Sequence, residues 1–230
     1  MKVAVLFSGG KDSNFSLFEA KKIHSVECLI VMKSKNSESY MFQSVGIDAT
    51  KYQAECLGIP ILEIETAGEK ESELIDLDFA IMSAKEKYGI EAIFTGAINS
   101  CYQSSRIQRI CKKYDLWCYN PLWQKNQVDF LYELVENNFK IVIVGVASYP
   151  LTEKHLGRIL DKKLIDEFIS FYEKFGFNPA GEGGEIETFV LDSPCFKKEI
   201  KILKSHSEYD NHYGNLFIDK VELVEKIYKD

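Results

Sequence analysis

Residues 2–7, Lys-Val-Ala-Val-Leu-Phe, make an apolar run of strand length, and the turn Ser8-Gly9-Gly10-Lys11-Asp12-Ser13 follows at once. Residues 14–21 then carry Phe15 and Phe18 on one helical face. Strand, glycine turn and helix in that order open a βα unit, and the pattern repeats through the first half of the chain. Residues 26–32 read as a second buried strand, and residues 47–57 as a helix stopped by Gly58 with Pro60 beyond. A third strand is predicted at 61–64. Leu74, Leu77, Ile81, Ala84 and Tyr88 step by three and four toward Gly89, as an amphipathic helix does. Residues 92–96 give a fourth strand, 97–111 a helix with Ile107 and Ile110 inward, and 116–119 a fifth strand before the Asn120-Pro121 turn. The fold class this predicts is α/β, a parallel five-stranded sheet with helices on both faces.

After Pro121 the rhythm loosens. A helix is expected at 128–135, an apolar run at 141–147, and an amphipathic helix marked by Ile165, Phe168, Tyr172 and Phe175 and stopped at Gly176. Strands follow at 187–191, 198–206 and 216–224, with a hairpin turn at 211–214. The expected organisation is a first domain over residues 1–124 and a smaller α+β domain over 125–230.

The Ser8–Ser13 turn suits an anion. A strand that passes through glycines into a helix start aims backbone N–H groups at one point, and the helix dipole adds partial positive charge. Gly9 and Gly10 let the main chain approach a phosphate, and Lys11 supplies a full charge. Asp12 would repel that phosphate unless it capped the helix or held a cation, so a bridging Mg²⁺ is the economical reading. The turn is not a Walker A loop, because Val5 and Asp12 stand where that pattern needs Gly and Ser/Thr. Gly96, at the carboxyl end of the fourth strand, would permit a second close approach to a ligand, and the aromatic stretch Tyr40-Met41-Phe42-Gln43 could cover one.

Residues 178–192, Asn-Pro-Ala-Gly-Glu-Gly-Gly-Glu-Ile-Glu-Thr-Phe-Val-Leu-Asp, form an acidic, glycine-rich turn feeding a strand. Alternation puts Glu185 and Glu187 on one face, and the Gly183-Gly184 turn can bring Glu182 near them. Carboxylates that close raise one another's pKa unless a cation compensates. Such a group expects Mg²⁺, an ammonium, or a basic side chain.

Composition narrows the classes. Lys+Arg 28 against Asp+Glu 35 leaves −7, which gives no global field toward nucleic acid or an anionic membrane. No apolar run has membrane-spanning length, and no secretory signal is read at the start. The 6 cysteines contain no CxxC and the 4 histidines are dispersed, so neither zinc nor a disulfide framework is expected, and a reducing cytoplasm is.

The SGGKDS turn at residues 8–13 resembles the pyrophosphate-binding loop of the N-type ATP pyrophosphatases, within the adenine nucleotide alpha-hydrolase superfamily. With Ser39–Phe42, Gly96-Ala97-Ile98, Tyr102-Gln103, Arg106, Pro121-Leu122-Trp123, Leu156-Gly157-Arg158 and GEGGEIETFVLDSP at 181–194, the chain is similar to the diphthine–ammonia ligase (diphthamide synthase) family in its short, archaeal-type form. Gln43 and Ser193 stand where relatives often carry histidine and a small residue such as glycine. The resemblance implies ATP-dependent amidation of diphthine on elongation factor 2 with ammonium, through an acyl-adenylate, giving diphthamide, AMP and pyrophosphate.

It further implies ATP and Mg²⁺ at Ser8, Gly9, Gly10, Lys11, Asp12, Ser13 and Gly96, with Asp12 on the metal. Lys11, Asp12, Glu182, Glu185 and Glu187 are the catalytic candidates. Tyr40, Tyr102, Gln103, Arg106, Glu182, Glu185, Glu187 and Asp192 are the substrate-binding ones, with Arg106 able instead to neutralise the glutamates. On this reading residues 1–124 bind nucleotide and 125–230 recognise substrate; no nucleic acid or membrane is expected, and a homodimer is compatible. The rival classes are a tRNA-amidating or tRNA-thiolating ATP pyrophosphatase and a non-enzymatic nucleotide sensor.

Overall fold

The computed structural model describes residues 1–34, 46–69, 71 and 73–226. The chain forms two compact units, Met1–Gln124 and Lys125–Asp230. In the first, β1 (Lys2–Leu6), β2 (Ser25–Ser34), β3 (Ile61–Thr66), β4 (Ala92–Phe94) and β5 (Trp117–Tyr119) build a five-stranded sheet in the order β3-β2-β1-β4-β5. All its pairs are parallel. The helices are α1 (Lys11–Ile23), α2 (Thr50–Leu57), α3 (Glu73–Tyr88) and α4 (Cys101–Lys113).

Strand periodicity explains why both faces need cover. Ala4, Cys28, Ile30 and Ile93 share a cluster with Leu77, Ala80, Ile81 and Ala84 of α3 and Ile107, Ile110 and Cys111 of α4. Val3, Val5, Leu29 and Val31 are 0% exposed too. Having the other parity, they point to the opposite face, where α1 packs on β1 and β2. The predicted α/β sheet is therefore the one found. Its strand order reverses between β1 and β4, the switch point at whose carboxyl edge such sheets bind ligands.

Two helix starts differ from expectation. α1 begins at Lys11, so Lys11, Asp12 and Ser13 are its first turn rather than loop. α4 begins at Cys101 instead of residue 97, because the Ser100 hydroxyl accepts the Gln103 N–H at 3.3 Å and so caps the helix there. α2 follows a 3-10 turn at Ile47–Ala49 and ends at Gly58, which has φ 66.

The second unit is antiparallel. β6 (Lys140–Ala147), β7 (Ile186–Asp192), β8 (Lys198–Asp210) and β9 (Tyr213–Glu225) lie in the order β7-β6-β9-β8. α5 (Gln127–Glu136) is capped by Asn126 and α6 (Lys162–Phe175) by Asp161. Phe130, Leu131, Leu134, Leu164, Ile165 and Phe168 are 0% exposed. Tyr172 and Phe175, expected on the same inward stripe, are 59% and 49% exposed at the end of α6.

The β8–β9 turn is tighter than predicted. Asn211 and His212 both have positive φ, 45 and 68, so Tyr213 and Gly214 already belong to β9. β9 registers with β6 at Tyr213 to Asn215, and beyond that the hairpin is a two-stranded ribbon on which Leu203 is 52% exposed. Among the described residues no helix is long and apolar enough to cross a membrane.

Phe15 is a large side chain of α1 that is 0% exposed, on the helix that packs against β1 and β2. Phe15→Ala is expected to lower the stability of the first unit by about 3–5 kcal/mol, read as a shift of its urea unfolding midpoint.

Candidate active site

The Ser8–Ser13 turn leaves β1 at the switch point and is wired internally. Gly9 has φ 82. Its carbonyl accepts from Asn14 Nδ2 at 3.0 Å and from Gln53 Nε2 at 2.9 Å. The Gly10 carbonyl accepts from Asn14 Nδ2 at 3.0 Å, Ser13 Oγ at 3.1 Å and the Asn14 N–H at 3.1 Å. Ser13 Oγ in turn accepts the Ser8 N–H at 3.2 Å, and Ser8 Oγ takes the Gly10 N–H at 3.4 Å. Of the predicted site residues, Ser13 thus shapes the loop with its own hydroxyl. Helix α1 has Gly10 as its N-cap with no side-chain cap, which leaves its first-turn N–H groups to an incoming anion.

Lys11 is 3% exposed, and its ammonium reaches Asp12 Oδ2 at 3.0 Å. The other carboxylate oxygen, Asp12 Oδ1, is buried and meets no hydrogen-bond donor among the described residues. One oxygen neutralised by lysine and one left over fits a single-carboxylate Mg²⁺ site in which phosphates and water complete the shell. Among the described residues no three His, Cys, Asp or Glu side chains gather as a metal cage.

Gly96 is expected to admit a ligand; in the direction a side chain would take, it meets the backbone of α1. A Cβ there would stand 2.7 Å from the Asp12 carbonyl carbon and 2.9 Å from the Ser13 nitrogen. The close approach is that of α1 to the end of β4. Ser16 Oγ donates to the Thr95 carbonyl at 3.0 Å, and Thr95 Oγ1 donates to Asn120 Oδ1 at 2.6 Å, so this junction is fixed from both sides.

On α4, the Arg106 guanidinium lies 3.5 Å from the centre of the Tyr102 ring and bonds Glu71 Oε1 at 2.5 Å. The Tyr102 hydroxyl donates to the same oxygen at 3.2 Å. Arg106 therefore has Glu71 of its own unit as carboxylate partner, which holds its guanidinium above its ordinary pKa. One face of Tyr102 is occupied, so that ring does not offer both faces to a quaternary ammonium. Gln103 serves Ser100 with its backbone N–H. Tyr40 lies outside the described residues.

In the second unit the acidic turn is tightly folded. The Glu185 carboxylate accepts the Gly183 N–H at 2.8 Å, and the Ala147 N–H donates to the Glu185 carbonyl at 2.9 Å. Glu187 lies opposite Gly145, where a Cβ would come within 2.9 Å of the Glu187 Cβ. Glu182, Glu185 and Glu187 thus stay in one turn and strand start, but they do not converge as one metal cage. Asp192 leaves the group. It ends β7, five residues past Glu187 and about 16 Å along the strand. Its carboxylate is bonded by Lys226 at 2.6 Å, and burial raises its pKa above the ordinary value while that lysine offsets part of the rise.

Sequence reasoning missed Asn14, Gln53, Glu71 and Lys226. Gln53 carried a usable signal: it is a polar residue one step from Ala54 on the inward stripe of a predicted helix, and it is 0% exposed. The scattered cysteines also hid a pair, since Cys111 and Cys118 share a hydrogen bond that raises the pKa of Cys111 and lowers that of Cys118. Cys111 is buried and Cys118 half-buried.

Gly96→Ala should force the Asp12–Ser13 backbone aside, because backbone atoms cannot rotate out of the way. A destabilisation of about 1–3 kcal/mol in urea unfolding is expected. Gly89→Ala, where a Cβ meets nothing within 4 Å but φ is 64, serves as the strain-only control.

Residues 1–117 match the model of the diphthamide synthase N-terminal domain, and residues 126–224 match that of the diphthamide synthase C-terminal domain. A diphthine–ammonia ligase from Bos taurus is 35% identical over 237 residues, covering 94% of this chain and 88% of the relative. The human protein of that name gives the same identity and coverage. In Schizosaccharomyces pombe a diphthine–ammonia ligase is 34% identical over 98% of this chain, which spans only 40% of that longer protein. A solved chain from Methanocaldococcus jannaschii, described as a predicted subunit of tRNA methyltransferase, superposes with a TM-score of 0.43 at 20% identity, covering 84% of this chain and 98% of that one, a distance at which the likeness carries no functional information. Domain models over most of the chain and relatives about a third identical along nearly all of it establish that the chain belongs to the diphthine–ammonia ligase (diphthamide synthase) family.

Proposed function

We propose that the chain is an AMP-forming C–N ligase that uses ATP to amidate diphthine on elongation factor 2 with ammonium. The observation that carries the reading is the Ser8–Ser13 turn, whose Gly9 and Gly10 carbonyls face inward and whose helix end has no side-chain cap. The chemistry explains the need for ATP. A carboxylate resists attack by ammonia because it is anionic and its oxygen leaves badly. Its oxygen attacks the α-phosphorus, pyrophosphate departs, and the acyl-adenylate so formed is a neutral electrophile at carbon. Ammonium first gives up a proton; ammonia then adds to that carbon, sheds another, and AMP leaves with the bonding electrons.

On this reading the turn receives the β- and γ-phosphates and stabilises their growing charge through N–H groups and Lys11. Mg²⁺, when bound, would neutralise phosphate charge, and Asp12 Oδ1 is the oxygen that would hold it. Gly96 serves by letting α1 begin where it does. Tyr102, Gln103 and Arg106, braced by Glu71, border the nucleotide. Glu182, Glu185 and Glu187 receive a cationic reactant, ammonium or the trimethylammonium of diphthine. A cytoplasmic location accompanies such a substrate.

Incubation with ATP, Mg²⁺, ammonium and diphthine-bearing elongation factor 2 should yield AMP and amidated factor in equal amounts. ADP as product, or AMP release indifferent to the factor, would count against the assignment. Asp12→Ala is expected to cut kcat/KM for ATP by about 100-fold or more. Glu185→Ala should bind ATP normally and lose amidation.

A further inference from the structure

Two glycine peptides in a row are the least committed backbone a loop can have. Each can turn over with little steric penalty, since neither residue carries a Cβ. What a phosphate meets depends entirely on that choice: N–H groups attract it, and carbonyl oxygens repel it. In a trans peptide the two groups point in opposite directions. A Gly9 carbonyl held inward therefore directs the Gly10 N–H to the opposite side, where Ser8 Oγ takes it in a long bond of 3.4 Å, and a Gly10 carbonyl held inward turns the Lys11 N–H the same way.

Two buried amides fix the choice. Asn14 is 1% exposed and Gln53 is 0% exposed. Asn14 Nδ2 reaches both carbonyls at 3.0 Å, and Gln53 Nε2 reaches Gly9 O at 2.9 Å. Carbonyls only accept, so each amide must present its NH₂ end to the loop. Asn14 belongs to α1 itself and could be read as part of an ordinary helix start. Gln53 cannot, because it arrives from α2, 44 residues along the chain. A buried primary amide is costly unless it is used, and this one ends on the first glycine carbonyl of the loop.

We propose that Gln53, together with Asn14, is a positioning residue for nucleotide. It locks the Gly9 peptide so that the loop offers donors, and not lone pairs, to the β- and γ-phosphates. The inference rests on the functional reading given above and adds to it a residue outside the loop that decides its polarity. Without the Gln53 donor the Gly9 peptide turns over part of the time, and the affected ligand atoms are the phosphates beyond the α position.

That restriction supplies the test. Full-length protein is titrated calorimetrically with α,β-methylene ATP, with inorganic pyrophosphate, and with AMP, which lacks the distal phosphates. Gln53→Met keeps the length of the side chain and removes the donor. Gln53→Glu keeps the shape and replaces the donor with an acceptor, and it takes the place of the first variant should that one not fold. Each is expected to weaken the ATP analogue and pyrophosphate by about 10-fold or more while AMP stays within about 2-fold of the parent. In turnover, KM for ATP rises and KM for ammonium does not. A variant that binds the analogue as tightly as the parent, or that loses AMP in equal measure, overturns the assignment of Gln53 alone. A parent protein that takes up neither the analogue nor pyrophosphate overturns this inference and the functional reading together.

Discussion

The Gly9 and Gly10 carbonyls are drawn into the protein by buried side-chain amides, and the geometry of the first unit's ligand-facing edge follows from it. Each such hydrogen bond contributes only about 1 kcal/mol net, but a carbonyl turned toward an anion would cost more than any one of them gives. The orientation persists because several donors share the task. Ser13 and Asn14 supply theirs from α1, and Gln53 supplies one from α2. The same region has no slack at Gly96, where α1 and the end of β4 touch backbone to backbone. Loop polarity and helix position are thus set by different contacts that converge on Asp12 and Ser13.

The second unit uses glycine to a different end. At Gly145 the missing side chain admits Glu187 from the neighbouring strand, and at Gly183 it admits the Glu185 carboxylate folding back on its own turn. Asp192 is chemically similar and structurally separate, because it lies five residues past Glu187 at the far end of β7 and pairs there with the ammonium of Lys226.

Periodicity carried most of the architecture. Five apolar runs alternating with helices could pack only as a parallel sheet covered on both faces, and the strand and helix cores fell within a few residues of expectation. The errors lie where a single side chain outbid the pattern. Ser100 moved the start of α4, and the paired positive φ of Asn211 and His212 lengthened β8 and β9. The SGGKDS motif located the loop, and the spacing of Gly9 and Gly10 to the helix suggested an anion. What sequence could not supply was pairing across distance: Gln53 to Gly9, Glu71 to Arg106, Lys226 to Asp192 and Cys111 to Cys118. No periodic signal marks these partners, since each is one polar residue whose meaning depends on the tertiary neighbour it meets.

The reach from Gln53 back to Gly9 has a bearing on biogenesis. β1 and α1 can form from contiguous residues, whereas the Gln53 donor reaches Gly9 only once α2 has packed. Until α2 has docked, only Ser13 and Asn14 of α1 supply side-chain donors to the diglycine carbonyls, and Gly9 lacks the one that Gln53 brings. The full set of donors on Gly9 is therefore a late property of the first unit, completed on tertiary closure and lost first if α2 detaches.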